Sequence, residues 1–363
     1  MANSTRWQDR TSEKKMQVTE VIEFLIQAGN SAPSADNTQP WCFRREADDL
    51  VLAYDAARFP DSMFPFDHPA TLLTMGAAVE NLVMAWTALG MSRPLTPVIP
   101  VEAPYEFLRM PLCSSQLAAA PSALPWKQRH TNRLPFRKDA INDIVAMPLD
   151  AAGSNEVSVR VIENRKTIGR IARLVRAASE TRFRTREIHD WFSQSLRFTP
   201  VQVARGDGLD VATFDLPPGG RTLLKIITSS WRNMQRFNRV GGYKVLAAAE
   251  AASIVNAGAI LALCGPADVA GAFAAGRRMQ AVWIALNAAG LAVQPYYVVS
   301  DQLTRLENDK VPKELRPAIG ALKKETALLF ALAEGTTLHL LLRVGKPRKN
   351  AVRALRLPVS QPK

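Results

Sequence analysis

The sequence predicts an α+β fold, a mixed sheet flanked by helices, in two modules that pack as one unit. Three observations predict it. Amphipathic helical stretches and short apolar runs rich in strand-formers are interspersed along the 363 residues. A helical pattern at 75–91 (MGAAVENLVMAWTALGM) returns at 275–291 (AGRRMQAVWIALNAAGL), with Gly76, Ala85, Ala88 and Gly90 matched by Gly276, Ala285, Ala288 and Gly290. An Ala/Pro/Ser-rich stretch at 117–126 marks a boundary between a first module over 1–126 and a second over 127–363. Two Ala-rich helices also match by chance, so the repeat gains weight only beside the split motifs described below.

The elements follow in order. Apolar residues at helical spacing predict a helix near 18–28, and runs at 41–45 and 49–54, joined by polar turn residues, predict a hairpin. A helix over 71–89 stops at Gly90, as a glycine-capped helix does, and a proline-rich stretch covers 93–104. Helices are expected at 167–178 and 187–197, while Asp-Gly, Pro-Pro and Gly-Gly steps make 206–220 a loop. A strand at 258–264, a helix at 270–289, a strand at 291–299 and a closing segment at 327–344 complete the core.

Composition narrows the function classes. With 47% hydrophobic residues the chain can bury a sizeable core. No apolar run reaches the roughly 18–20 residues that span a bilayer. Residues 1–16 are charged throughout and do not read as a signal peptide. A cytoplasmic protein with no membrane partner is expected. Cys42, Cys113 and Cys264 are too dispersed for a disulfide framework or a metal site, and His68, His130, His189 and His339 form no ligand pair. His339 sits in an apolar run, where a core role fits. The net charge is +13 and the pI about 10.0. Zinc-finger, RNA-recognition and basic-zipper spacings are absent, which makes nucleic acid an unlikely partner. Basic residues gather at 127–138, 160–197, 221–244, 310–324 and 346–356, and the last group reads as a solvated terminus.

Two motifs carry the chemistry. Residues 32–43 read Ala-Pro-Ser-Ala-Asp-Asn-Thr-Gln-Pro-Trp-Cys-Phe. Pro33 and Pro40 stiffen the backbone, and Ser34, Asp36, Asn37 and Gln39 supply closely spaced donors and acceptors. Such a loop suits the edge of a flat heteroaromatic ring; it also suits a plain helix end and turn. Residues 129–136 read Arg-His-Thr-Asn-Arg-Leu-Pro-Phe, where Arg129, Thr131 and Arg133 can grip a phosphate or merely form a solvated basic turn.

The first motif resembles the A-P-S-x-x-N-x-Q-P-W-x-F signature of the nitroreductase superfamily, and the second its R-R-S-x-R-x-F phosphate motif. The resemblance runs from about residue 20 to about residue 356. In ordinary members the phosphate motif comes first; here the order is reversed. Together with the repeat, this resembles the Acg-type branch, in which two modules are fused as an intramolecular pseudo-dimer. The resemblance implies a single FMN site built from both modules. Pro33, Ser34, Asn37 and Gln39 would face the ring, and Arg129, Thr131 and Arg133 the phosphate. Arg343 and Lys346, at the end of a late strand, would add a basic pair. Gln294, Pro295 and Tyr296 would lie by the flavin N5 edge, although the family's usual Glu-Gly pair is missing there.

No catalytic dyad or triad is visible, so the chemistry would belong to the flavin. The implied activity is ping-pong hydride transfer from NAD(P)H to a small acceptor such as a nitroaromatic or quinone. The alternative is a flavin-sequestering protein, with an insert at about 180–220 as a lid carrying Trp191 and Phe192. The fusion makes a monomer the default, with a homo-oligomer as the other possibility.

Overall fold

The computed structural model describes residues 16–60, 62–113, 124–137, 141, 144 and 156–358. The segment proposed as the module boundary lies largely outside these, as do residues 1–15.

Helix α1 (Val18–Asn30) starts at a capping box in which the Gln17 N–H donates to Glu20 Oε2 at 2.7 Å. It buries Val21, Leu25 and Ile26 against the core. A 3-10 turn (Ala35–Asn37) leads into β1 (Trp41–Glu46) and β2 (Asp49–Tyr54), an antiparallel hairpin whose two-residue turn places Ala47 at φ +52°. Helix α2 (Pro69–Ala88) follows, with His68 capping its start and Pro69 in its first turn. Strand β3 (Glu106–Pro111) then completes a three-stranded sheet in the order β1-β2-β3.

A single turn, α3 (Pro125–Gln128), precedes β4 (Ser158–Ile162) and α4 (Arg165–Arg182). The next stretch is a layered insert: α5 (Arg186–Ser195), β5 (Leu196–Arg197), α6 (Pro200–Val203), β6 (Leu209–Asp210), α7 (Gly220–Thr228), α8 (Trp231–Arg239) and α9 (Gly242–Val255). The expected loop at 206–220 thus contains β6, paired in parallel with β5, and a 3-10 turn (Val211–Thr213). Leu196, Leu209 and Val211 pin it down as a small apolar cluster with Phe192, Phe198, Phe214 and Leu224.

The chain then forms β7 (Ala259–Pro266), α10 (Val269–Ala288), β8 (Ala292–Tyr296), α11 (Val298–Glu307), α12 (Arg316–Leu329) and β9 (Thr336–Gly345). These strands make a second sheet in the order β4-β7-β9-β8. The architecture is α+β, but neither of the larger sheets is mixed: every pairing in them is antiparallel. The reason is an insertion. A β7-α10-β8 unit would ordinarily pair its strands in parallel. Here β9 lies between them and runs antiparallel to both. The strand expected over 291–299 ends at Tyr296, where pairing with β9 stops and α11 begins.

Helices α2 and α10 pack face to face at the centre. A methyl at Gly76 would meet the Phe273 carbonyl at 2.2 Å, and one at Gly276 would meet the Leu73 carbonyl at 2.2 Å. The contact is reciprocal: each glycine touches the residue three before its counterpart. Polar pairs flank it, half-buried Arg277 with Glu80 at 2.9 Å and the buried Gln280 Nε2 donating to Asn81 Oδ1 at 2.7 Å. The main apolar core spans both sequence halves, from Leu25 and Leu82 to Trp283 and Leu342. A second core, on the other face of the four-stranded sheet, is covered by α4, α11 and α12. No described helix is long and apolar enough to cross a membrane. No disulfide joins Cys42, Cys113 and Cys264, and no metal-binding cluster occurs among the described residues.

Candidate functional site

A cavity of about 950 Å³ opens between the α2–α10 core, β8 and the insert. That lies near the top of the range usual for small-molecule sites, about 300–1,000 Å³. Ten of the twelve residues singled out in the sequence line it: Pro33, Ser34, Asn37, Arg129, Thr131, Arg133, Gln294, Pro295, Tyr296 and Arg343. Gln39 and Lys346 do not. Gln39 is wholly buried behind the loop. Lys346 lies beyond the lining, its carbonyl accepting from the Arg137 N–H at 2.8 Å.

The first wall is the loop after α1. Asp36, Asn37 and Gln39 all adopt left-handed backbone, φ +48°, +58° and +51°, a conformation costing non-glycine residues of order 1 kcal/mol each. Short local bonds hold it, Thr38 Oγ1 to Ala35 O at 2.9 Å and the Gln39 N–H to Ser34 Oγ at 3.0 Å. The Asn37 side-chain amide donates to the carbonyls of Gly208 at 3.0 Å and Leu355 at 3.1 Å. Gln39 Nε2 donates to Gly206 O at 2.9 Å, and Gln39 Oε1 accepts from the Leu357 N–H at 3.0 Å. These two amides therefore clamp the insert and the segment after β9, while Pro33, Ser34, Ala35 and Asp36 line the cavity beside Asn37. A Cβ at Gly206 would lie 2.1 Å from the Arg356 carbonyl, so only glycine permits this crossing.

The second wall is cationic. Arg129 is 7% exposed; it donates to Ser31 O at 3.0 Å, lies 4.8 Å over the Trp283 ring, and keeps a buried Nε without a partner. Burial, reinforced by the neighbouring charges of Arg356 and Arg353, pulls its pKa well below the ordinary value. Arg133 donates to Thr213 Oγ1 at 3.2 Å and faces the Phe214 ring at 5.4 Å; burial lowers its pKa, and Asp36 opposes the shift. Arg343 is 1% exposed and pairs across the sheet with Gln294, donating to its Oε1 at 2.6 Å; it also donates to Leu134 O at 3.2 Å and lies 3.6 Å over Phe136. Its Nε also lacks a partner. Gln294 is thereby committed to Arg343, and Pro295 has no N–H to give.

Two further arginines line this cavity, from the 346–356 stretch expected to be a solvated terminus. Arg353 donates to the carbonyls of Lys127 at 2.8 Å and Gln128 at 3.4 Å. Arg356 donates to Asn37 Oδ1, and burial brings its pKa down to about 10. Every hydrogen bond these five arginines make ends on a neutral oxygen, and among the described residues none pairs with a carboxylate. Arg353 is exposed, whereas Arg129 and Arg343 are buried and Arg133 and Arg356 half-buried; desolvated cations with no bonded counter-charge are costly, and an anionic group entering the cavity would relieve that cost.

The third wall is the insert. Trp191 Nε1 donates to Asp36 Oδ2 at 2.9 Å, tying α5 to the loop. Burial raises the Asp36 pKa, while Arg182, the Trp191 hydrogen bond and Arg133 act against the shift. Phe192, Leu209, Phe214 and Leu216 turn toward the cavity. On the far side Tyr296 closes the floor, its hydroxyl pushed up to about 12 by burial.

No protein-family model matches the chain. It is 27% identical over 286 residues to the uncharacterised protein MT1398 of Mycobacterium tuberculosis strain CDC 1551 / Oshkosh; the match covers 75% of this chain and 38% of that protein. Part of the fold overlaps an iodotyrosine deiodinase bound to FMN and 3-iodo-L-tyrosine, at 15% identity over 65% of this chain and 95% of that one, TM-score 0.35. It also overlaps the FMN-dependent nitroreductase NfnB of Mycobacterium smegmatis in complex with NADPH, at 17% identity over 65% and 92% of the two chains, TM-score 0.35. A third overlap, with an FMN-dependent nitroreductase of Clostridium difficile R20291, has 14% identity over 65% and 96%, TM-score 0.33. Similarities of this extent carry no argument about activity, and the site must be judged on its own residues.

Proposed function

We propose that the chain is an FMN-binding oxidoreductase of the nitroreductase kind, whose two modules form a pseudo-dimer around one flavin. The observation that carries this reading is a group of arginines, Arg129, Arg133, Arg343, Arg353 and Arg356, whose hydrogen bonds all end on neutral oxygens, facing a roomy cavity opposite a rigid loop and apolar surfaces. An anion at one end and a flat apolar body beyond it is the shape of ligand these residues accommodate. Arg129, Thr131 and Arg133 would hold the phosphate, with Arg343 as a further buried charge. Pro33, Ser34 and the loop backbone would flank the ring, and the Gln294–Tyr296 stretch would face its other edge. The reciprocal α2–α10 packing supports the pseudo-dimer, since it supplies in one chain a contact that two subunits would otherwise make.

FMN, when bound, would supply the hydride chemistry, passing reducing equivalents from NAD(P)H to a small acceptor in ping-pong fashion. The chain's own residues bind, orient and exclude water. The buried walls of the cavity keep the local dielectric low, and this strengthens each arginine contact. The arginines also attract anionic ligands toward the entrance.

One observation favours a second reading, a flavin-sequestering protein. The insert is tied at Asp36, Asn37 and Gln39 and lines the cavity with Phe192, Phe214 and Leu216, side chains that would take up room a nicotinamide needs. Anaerobic stopped-flow mixing of the flavin-loaded protein with NADPH decides between the two. Rapid bleaching of the flavin supports the reductase; a spectrum that does not change supports sequestration.

A further inference from the structure

The insert has an outer face that the cavity does not use. Leu224 and Ile227 of α7, Met234 of α8 and Leu246 of α9 line the cavity. The opposite side of a covering helix is ordinarily polar. Here Leu223 is 40% exposed, Ile226 53%, Val240 82% and Val245 65%. Leu216, 37% exposed, lines the cavity as well as reaching the surface. Thirteen large apolar side chains are exposed among the described residues, and five of them fall between 216 and 245. Single exposed aliphatic residues are ordinary, whereas a group of them marks a contact surface. We propose that the outer face of α7, α8 and the start of α9 docks on an anionic phospholipid surface. The docking does not depend on which ligand the cavity takes.

Charge identifies the partner. Residues 216–249 contain no Asp or Glu, and Arg221, Lys225, Arg232, Arg236, Arg239 and Lys244 are all exposed. Among the described residues none of the six forms an ion pair; Arg221 donates to the Phe198 carbonyl, and Lys244 lies 5.8 Å over the Tyr243 ring. The neighbouring helix α4 differs, since its Arg170, Arg176 and Arg182 meet Glu325, Glu180 and Glu250. Helix α7 packs on α8 and α8 on α9, so the unpaired cations and the exposed aliphatics belong to one layer. Cations attract anionic headgroups while aliphatic side chains enter the boundary beneath them, and long basic side chains reach back to the headgroups. A nucleic acid would match the charge alone, because a phosphate backbone makes no use of the aliphatic side chains. The expectation of no membrane partner rests on the lack of a spanning run and does not bear on a surface contact. Docked in this way, the insert sets the cavity wall beside the lipid, with Leu216 between them.

The test is co-sedimentation of the full chain with vesicles of phosphatidylcholine alone and of phosphatidylcholine mixed with phosphatidylglycerol. The expected result is binding to the anionic vesicles only, weakening as salt is raised. Arg236→Gln combined with Arg239→Gln should lower the partition coefficient by about tenfold or more. Leu223→Gln combined with Ile226→Gln should lower it by about tenfold or more as well. All four positions are exposed, and melting curves matching the wild type show that each variant is folded. Val101→Gln combined with Leu328→Gln, exposed apolar positions outside the insert, should leave binding unchanged. No binding to anionic vesicles would overturn the proposal, as would equal loss in the Val101 and Leu328 control. Binding that the Leu223 and Ile226 change leaves intact, and that duplex DNA competes away, would replace the lipid with a nucleic acid and overturn it too.

Discussion

Arg129, at the scale of one residue, is where the proposed reading predicts that stability is traded for binding. A guanidinium 7% exposed, with an orphaned Nε and two like charges nearby, lacks a compensating charge in the ligand-free fold. Replacing it by methionine should therefore leave the melting temperature of the ligand-free protein unchanged or raise it. The same change should weaken FMN by about 1–3 kcal/mol, the range for a charge-assisted hydrogen bond. Calorimetric unfolding and FMN titration of one variant check both halves; a fall in ligand-free stability would contradict this account of the arginine. His339 gives a second prediction. It is 4% exposed in β9, and burial brings its pKa down to about 4 from an ordinary 6.5. The fold thus holds the neutral imidazole. Its contribution is complete above about pH 6.5 and is lost as the pH falls toward 4, because the unfolded chain takes up the proton first. The loss amounts to about 3 kcal/mol, measurable as a lower urea midpoint at pH 4.5 than at pH 7. A His339→Leu protein should show a flatter dependence across that window.

Elements carry the next set of expectations. Gly276→Ala drives a methyl into the Leu73 carbonyl at 2.2 Å, which forces α2 and α10 apart and should cost about 1–3 kcal/mol. Gly169→Ala, in the second turn of α4, meets nothing within 4 Å and should stabilise by about 0.5–1 kcal/mol. Chemical denaturation of the pair checks the signs, and like signs would contradict the packing described here. Trp191→Phe removes the 2.9 Å bond from α5 to Asp36 and should loosen the insert, read as faster iodide quenching of bound flavin.

Element positions were largely legible in the sequence because periodicity is local. The hairpin, α2, α4 and α10 lie within a few residues of where apolar spacing and terminal glycines place them. What sequence does not reveal is how distant partners use a side chain. Asn37 and Gln39 stand in a loop suited to a ring, yet their amides are committed to Gly206 and Gly208, 167 to 171 residues away, and to Leu355, 318 away. Gly206 reads as a turn glycine, and its close approach to Arg356 depends on how the last segment crosses it. For the same reason Arg353 and Arg356 read as solvated. The antiparallel pairing was hidden too, since nothing local in β7, α10 or β8 indicates that β9 inserts between them.

At the scale of the whole molecule, the 129–136 motif and the 32–43 loop, about a hundred residues apart in sequence, meet where Arg129 donates to the Ser31 carbonyl, and the cavity gathers both. In the proposed pseudo-dimer each module lacks the other's half of the site, so one chain should hold one flavin rather than the two expected of a symmetric homodimer. That stoichiometry is the central claim, and it is tested most directly by the absorbance spectrum of the purified protein, with the pigment released by heat, identified and counted against protein. The account predicts a flavin spectrum and FMN at about one equivalent per chain, since one arginine wall can serve one phosphate group. A colourless protein that takes up no added FMN would contradict it.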